Sequence, residues 1–196
     1  MNTTTQAISN AESGSSLAMN PKKFVVWLFI VSIVMIFASL TSAYIVRQAE
    51  GNWKVFEIPA MFLYSTIVLL ASSATMHWGY INAKKNAFAN VKISLVLTLI
   101  LGLVFLFMQL EGWKQLIQNN VFFSFGNPSE SFLYVLTGLH AFHLLTGLVF
   151  LIIVLISSFR LTIHAKNLAQ YEMCATYWHF LDGLWLYLYV FLLFNR

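Results

Sequence analysis

Five long apolar runs dominate the chain, and each is long enough to cross the hydrocarbon core of a membrane. They occupy residues 24–46, 58–80, 93–110, 131–159 and 173–194. A helix needs about 20 apolar residues to span a bilayer, and backbone exposed to lipid must satisfy its own hydrogen bonds. The roughly ten-residue alternating segments of a membrane β-barrel are not found. The sequence therefore predicts an all-α polytopic membrane protein, a bundle of five transmembrane helices.

The composition agrees with one membrane domain. Charged residues make up 9% of the chain and hydrophobic residues 59%, whereas soluble domains average roughly a quarter charged residues. Residues 1–21 are rich in Ser, Thr and Asn without hydrophobic periodicity, which indicates a disordered tail. Residues 22–196 then form the membrane domain. The single cysteine, Cys174, excludes an intrachain disulfide and a CxxC redox pair.

The basic residues predict the orientation of the bundle. If the N-terminus lies inside, the inner segments contain Lys22, Lys23, Lys84, Lys85, Lys92, Arg160 and Lys166, and the outer segments contain Arg47, Lys54, Lys114 and Arg196. Inner loops of membrane proteins carry the excess of Lys and Arg. We therefore expect the N-terminus inside and the C-terminus outside. The basic stretch NAKKNAFANVK is then a topology determinant, and no nucleic-acid partner is predicted.

Titratable side chains lie within the last two apolar runs. His140 and His143 are three residues apart, as are His179 and Asp182, so each pair lies on one face of its helix. The two helices run in opposite directions, and a rise of about 1.5 Å per residue brings His143 and Asp182 to similar depth. Intramembrane ionisable groups tend to face the bundle interior and pair with one another. The sequence therefore predicts a buried polar cluster between the fourth and fifth helices.

Three interpretations of these histidines compete. Haem ligation needs axial imidazoles from facing helices, for which His179 and His77 are the candidates nearest to the fourth helix. A proton or ion path would use a chain of His and acidic groups, but none of the three prolines breaks a span. A structural role in helix packing requires neither a ligand nor a broken helix. On composition alone the structural interpretation is favoured.

Several motifs resemble subunit III of haem–copper oxidases, the cytochrome c oxidase subunit 3 family. YWHFLDGLWLYLYVF at 177–191 resembles the last-helix signature of that family, and it includes Tyr177 and Trp178 beside His179 and Asp182. TGLHAFHLLTG at 137–147 is similar to the family's Thr-Gly-x-His-x-x-His helix, and Glu172 stands five residues before Tyr177 as the family's glutamate does. SSATMHWGY at 72–80 matches more loosely. Five spans correspond to the short bacterial form of the family.

The resemblance implies an accessory role in a proton-pumping cytochrome c oxidase of a bacterial plasma membrane. The partners would be the catalytic haem–copper subunit I, the copper-bearing subunit II and membrane lipids. Haem and copper would lie in those subunits, and this chain would bind phospholipid without holding a metal or catalysing the reaction itself. The four titratable residues, with Tyr177 and Trp178, would then orient the helices. The inner-side candidates for lipid or proton contacts are His77, Arg160, Lys166 and Glu172, and the outer-side candidate is Glu111.

One position departs from the family pattern. Ile33 stands where the family has a carboxyl-reactive glutamate, and an isoleucine side chain does not titrate. The motifs do not separate cytochrome c oxidase from a quinol oxidase or a nitric oxide reductase partner. A membrane haem-b electron carrier and a proton-coupled transporter are the alternatives of a different class.

Overall fold

The computed structural model describes residues 21–51, 53, 58–85, 87–119, 121, 123, 128–159 and 165–195, apart from the side chains of residues 88 and 165–168. Throughout this part of the chain the regular structure is helical. The helices are α1 (Pro21–Ala49), α2 (Ala60–Lys84), α3 (Phe88–Gln118), α4 (Pro128–Phe159) and α5 (Ala165–Phe194). All five are long and apolar enough to cross a membrane. This confirms the predicted all-α, five-helix, multi-pass fold, while the orientation stays a prediction.

The helices extend beyond the apolar runs that predict them. α3 continues past Leu110 to Gln118, and α5 begins at Ala165, well before Met173. Hydropathy marks only the part of a helix that lies in hydrocarbon, whereas polar turns of the same helix project beyond it. α1 begins at Pro21, the last residue of the predicted tail, and proline suits a first helical position because its missing N–H is not needed there. The rest of that tail lies outside the described residues.

α2, α3, α4 and α5 form the centre of the bundle, and α1 packs against two of them. α2 and α3 form the most extensive pair, and α5 packs against both α2 and α4. Within the described ranges α1 contacts α4 and α5 but neither α2 nor α3. Lys23 forms a 2.8 Å ion pair with Glu172 at one end of α1, and the Tyr44 hydroxyl donates to the Asn195 carbonyl at the other end. α1 and α5 therefore run parallel.

Two tryptophans of α5 fill the centre of the bundle, and glycines give them room. Trp178 and Trp185 are the largest fully buried side chains. A Cβ atom added at Gly102 would lie 2.8 Å from Trp178 Cη2, and one added at Gly147 would lie 2.9 Å from Leu181 Cδ1. Small residues let membrane helices approach closely. These contacts bring α3 and α4 against α5. They also fix the depth, along the bundle axis, of each titratable residue on α5.

Candidate functional site

His140 lies on α4 in an aromatic environment. Its side chain is fully buried, and its ring centre is 5.0 Å from that of Trp185 and 6.0 Å from that of Phe105. Neither ring nitrogen has a hydrogen-bond partner among the described residues. His140 thus joins α3, α4 and α5 through ring packing.

His143 faces α1 instead. Its Nδ1 lies 2.8 Å from the Leu139 carbonyl oxygen, and its ring centre is 5.8 Å from Phe37 and 6.4 Å from Phe29. Ile33 is one helical turn from each phenylalanine, so it lies on the same face of α1, and it is 1% exposed. Ile33 therefore belongs to the apolar layer that covers His143.

His179 is directed toward α2. Its Nδ1 lies 2.6 Å from the Ser73 hydroxyl oxygen, a hydrogen bond in which either group can donate, depending on the imidazole tautomer. The His77 ring centre is 6.1 Å from that of His179. His77 is exposed on the bundle surface, whereas His179 is only partly exposed. The two histidines form a pair between α2 and α5.

Asp182 is buried on the α2 side of α5, with 4% of its surface exposed. Neither carboxyl oxygen makes a hydrogen bond within the described part of the chain. Asp182 lies on α5 between Trp178 and Trp185, which both bond to hydroxyl groups of α2. The nearby Ser73 hydroxyl of α2 makes its hydrogen bond to His179. Buried polar groups are normally hydrogen-bonded, and Asp182 is the buried carboxyl group among the described side chains that lack a partner.

The four titratable residues therefore occupy separate places around α4 and α5. The contacts of Gly147 with Leu181 and of His140 with Trp185 put His143 and Asp182 at similar depth. Their side chains point apart, however, His143 toward α1 and Asp182 toward α2. Among these four residues no hydrogen bond joins the α4 histidines to His179 or Asp182. The residues share a level of the bundle without forming one cluster, because the rotation of each helix is set by its packing.

Tyr177 and Trp178 link α5 to its neighbours. The Tyr177 hydroxyl lies 2.9 Å from Thr146 Oγ1 on α4, and Trp178 Nε1 donates across 2.8 Å to the Ser72 hydroxyl on α2. Trp185 Nε1 makes the corresponding bond to Thr66, at 3.0 Å.

Sequence reasoning missed the hydroxyl groups of α2. Ser72 and Ser73 were visible only as part of the loosely matching SSATMHWGY stretch. The available signal was their position inside an apolar run, because a hydroxyl in hydrocarbon bonds either to its own helix or to a neighbouring helix.

The remaining candidates lie near the helix ends. Glu111 pairs with Lys114 at 2.6 Å within α3. Glu172, paired with Lys23, lies at a surface groove between the beginnings of α1 and α5. The groove is lined by Lys23, Val26, Trp27, Glu172, Met173 and Thr176. Arg160 and the side chain of Lys166 lie outside the described residues.

The described residues contain no group of three His, Cys, Asp or Glu side chains placed to hold a metal ion. Their polar groups instead make hydrogen bonds between helices and an ion pair at a helix end.

Comparison with known proteins places this arrangement in a family. The family described as Cytochrome c oxidase subunit III matches residues 11–195. The cytochrome bo(3) ubiquinol oxidase subunit 3 of Buchnera aphidicola is 30% identical over 185 residues, which cover 90% of this chain and 95% of that protein. The cytochrome c oxidase subunit 3 of Bacillus sp. PS3 is 25% identical over 83% of this chain and 80% of its own.

A mammalian relative matches over a smaller share of its length. The cytochrome c oxidase subunit 3 of Mus musculus is 30% identical over 177 residues, which cover 83% of this chain and 65% of that protein. The family match extends over nearly the whole sequence and includes every described helix. The chain therefore belongs to the cytochrome c oxidase subunit III family.

Proposed function

We propose that this chain is the accessory, non-redox subunit III of a proton-pumping cytochrome c oxidase in a bacterial plasma membrane. In this role it stabilises the catalytic haem–copper subunit, binds phospholipid and supports proton uptake during O2 reduction. The family match over residues 11–195 is the observation that carries the proposal. The same match supports subunits I and II of the oxidase as partners.

The geometry supports a packing role for the polar residues of α4 and α5. Tyr177, Trp178 and Trp185 direct their polar atoms to hydroxyl groups of neighbouring helices. Such bonds contribute about 0.6 kcal/mol each on average in membrane proteins, but together they fix the rotation of each helix. A fixed arrangement lets the bundle present a constant surface to the catalytic subunit.

The groove between α1 and α5 supports the proposed binding of phospholipid. Lys23 and Glu172 are about one-third and two-fifths exposed there, respectively, and Val26, Trp27 and Met173 form apolar walls. Charged groups above an apolar surface match the polar headgroup and acyl chain of an amphiphile. We also propose His77, Arg160 and Lys166 as further contacts for phospholipid headgroups.

A quinol oxidase is the second candidate for the whole complex. It is favoured by the match to the bo(3) ubiquinol oxidase subunit 3, which covers 95% of that protein. Electron transfer from reduced cytochrome c or from ubiquinol to the purified complex distinguishes the two donors.

The proposal is tested by mild-detergent purification of the tagged full-length chain, followed by mass spectrometry of the partners and a reduced-minus-oxidised spectrum. We expect a many-helix haem–copper subunit to co-purify, and we expect the haem bands to stay with the partners when this chain is removed. A chain that purifies alone with its own haem would support the electron-carrier alternative. Purification without any haem protein would overturn the proposal as well.

A further inference from the structure

We propose that His77, His179 and Ser73 form a proton relay that connects the surface of the bundle to the buried Asp182 carboxyl group. The relay gives this chain a proton-binding site of its own. This proposal goes beyond the general support of proton uptake proposed above. It rests on that proposed function for one point only, which is the side of the membrane from which the proton enters.

The inner end of the relay is a carboxyl group that lacks a partner. Asp182 is 4% exposed, and neither of its oxygens is hydrogen-bonded within the described ranges. Buried charges are paired or become neutral by binding a proton. Ionisable residues within membrane spans mark functional sites by default, and proton relays are among their uses.

Ser73 lies on the side of α2 that meets His179 and Asp182. Its hydroxyl lies 2.6 Å from His179 Nδ1, and Asp182 follows His179 by one turn on the same face of α5. A hydroxyl group both accepts and donates a proton, so it passes a proton on without a net change. Imidazole carries its two nitrogens on opposite sides of the ring and exchanges protons near neutral pH. Ser73 and His179 therefore have the chemistry that a two-step transfer needs.

His77 provides the entrance. It is exposed, and its ring centre lies 6.1 Å from that of His179 and 6.4 Å from that of Tyr80. Exposed side chains change rotamer within nanoseconds, so the His77 ring can move toward His179. His77 precedes Lys84, the last residue of α2, by seven residues, or about 10 Å along the axis. In the predicted orientation the nearer aqueous phase is therefore the inner one.

One charged group lies near the entrance of the relay, because Lys84 Nζ is 4.4 Å from the centre of the Tyr80 ring, which contacts the His77 ring. Beside α5, α3 presents Gly102 and Phe105, which are uncharged. α4 presents Gly147 to Trp178 and His140 to Trp185. α1 lies on the opposite side of α5, where Phe29 contacts Tyr177. The titratable groups along the relay are therefore His179 and His77, with Tyr80 and Lys84 beside its entrance.

The transfer conserves protons and involves no redox step. His77 takes up a proton from water and delivers it to Nε2 of His179. His179 releases the proton on Nδ1 to the Ser73 oxygen, while the Ser73 O–H proton moves to an ionised Asp182 oxygen. One proton has then moved from the aqueous phase to Asp182, and rotation of the side chains restores the starting tautomer.

Hydrogen–deuterium exchange of the Asp182 carboxyl group tests the relay. The purified complex that contains the full chain is mixed rapidly with D2O, and the carboxylic C=O stretching band is followed by infrared spectroscopy. The band is assigned by its loss in the Asp182→Asn variant or by its shift in Asp182→Glu. We expect exchange in the wild-type chain, slowed roughly tenfold or more by Ser73→Ala.

Ser39→Ala is the control, because Ser39 is an exposed residue of α1 whose hydroxyl donates to the Ile36 carbonyl and lies away from the relay. It should leave the exchange rate unchanged. His77→Phe changes an exposed position and should slow exchange as Ser73→Ala does, so it tests the relay if Ser73→Ala fails to assemble. A wild-type Asp182 band that does not exchange, or equal rates in all variants, would overturn the relay whatever the partners of the chain prove to be.

Discussion

The Trp178 indole donates a 2.8 Å hydrogen bond to the Ser72 hydroxyl, across the contact between α5 and α2. Both side chains are fully buried. The two residues are 106 positions apart in the sequence, so this bond fixes the last helix against the second. It lies next to the proposed relay but does not belong to it.

Ser72→Ala is expected to lower the thermal stability of the chain. The substitution leaves the buried Trp178 N–H without an acceptor, which costs about 1–3 kcal/mol. The measurement is the temperature at which the helical circular dichroism of the purified complex is lost. Ser39→Ala serves as the control, because Ser39 is exposed and its hydroxyl donates to Ile36 within α1. Equal melting temperatures for the two variants would contradict the prediction.

Gly79→Ala should disrupt the contact between α2, α3 and α5. A Cβ atom at this position would overlap Ser94 Oγ and Tyr171 Oη, and Tyr171 donates a 2.9 Å hydrogen bond to the Met76 carbonyl. Overpacking of this kind costs about 1–3 kcal/mol. The readout is the amount of chain that stays in the complex after heating in mild detergent.

Gly183→Ala is the control for this substitution. Among the described residues, nothing outside the adjoining turns of α5 lies within 4 Å of a Cβ atom added at Gly183, and alanine is favoured over glycine in a helix by up to about 1 kcal/mol. We therefore expect Gly183→Ala to be neutral or stabilising. If both variants lose the chain to the same extent, the close approach at Gly79 is not the cause.

Ile33→Glu is expected to lower the free energy of unfolding of the complex. The presence of His143 should make this loss smaller. The substitution buries a carboxyl group in the apolar layer of Phe29 and Phe37, which contact the His143 ring. A double-mutant cycle with His143→Phe, read from denaturation of the complex, should give a coupling of about 0.5–3 kcal/mol. Ile33→Gln, which adds a polar group without a charge, should couple less. Zero coupling for the glutamate would show that position 33 does not face His143.

Cysteine labelling should reveal the orientation. Glu50 and Lys85 are exposed at opposite ends of the bundle, and the native Cys174 is 1% exposed, so background labelling is small. A membrane-impermeant maleimide should label the Glu50→Cys variant in intact cells and the Lys85→Cys variant only after the membrane is opened. The reverse pattern would place the N-terminus outside.

The number and type of the helices follow from hydropathy, because each apolar run must satisfy its backbone in lipid. The depth of a residue also follows from counting, as His143 and Asp182 show. The direction of a side chain does not. It depends on helix rotation, which here is set by Gly147 against Leu181 and by Trp178 against Ser72. These contacts join residues distant in sequence, so no local pattern reveals that His143 faces α1 and Asp182 faces α2.

The contacts of α1 also constrain how the protein is made. α1 is held by α4 and α5, with Lys23 paired to Glu172 at one end and Tyr44 bonded to Asn195 at the other. A ribosome synthesises α1 before α4 and α5. The first helix must therefore wait in the membrane until the fourth and fifth helices have been inserted beside it.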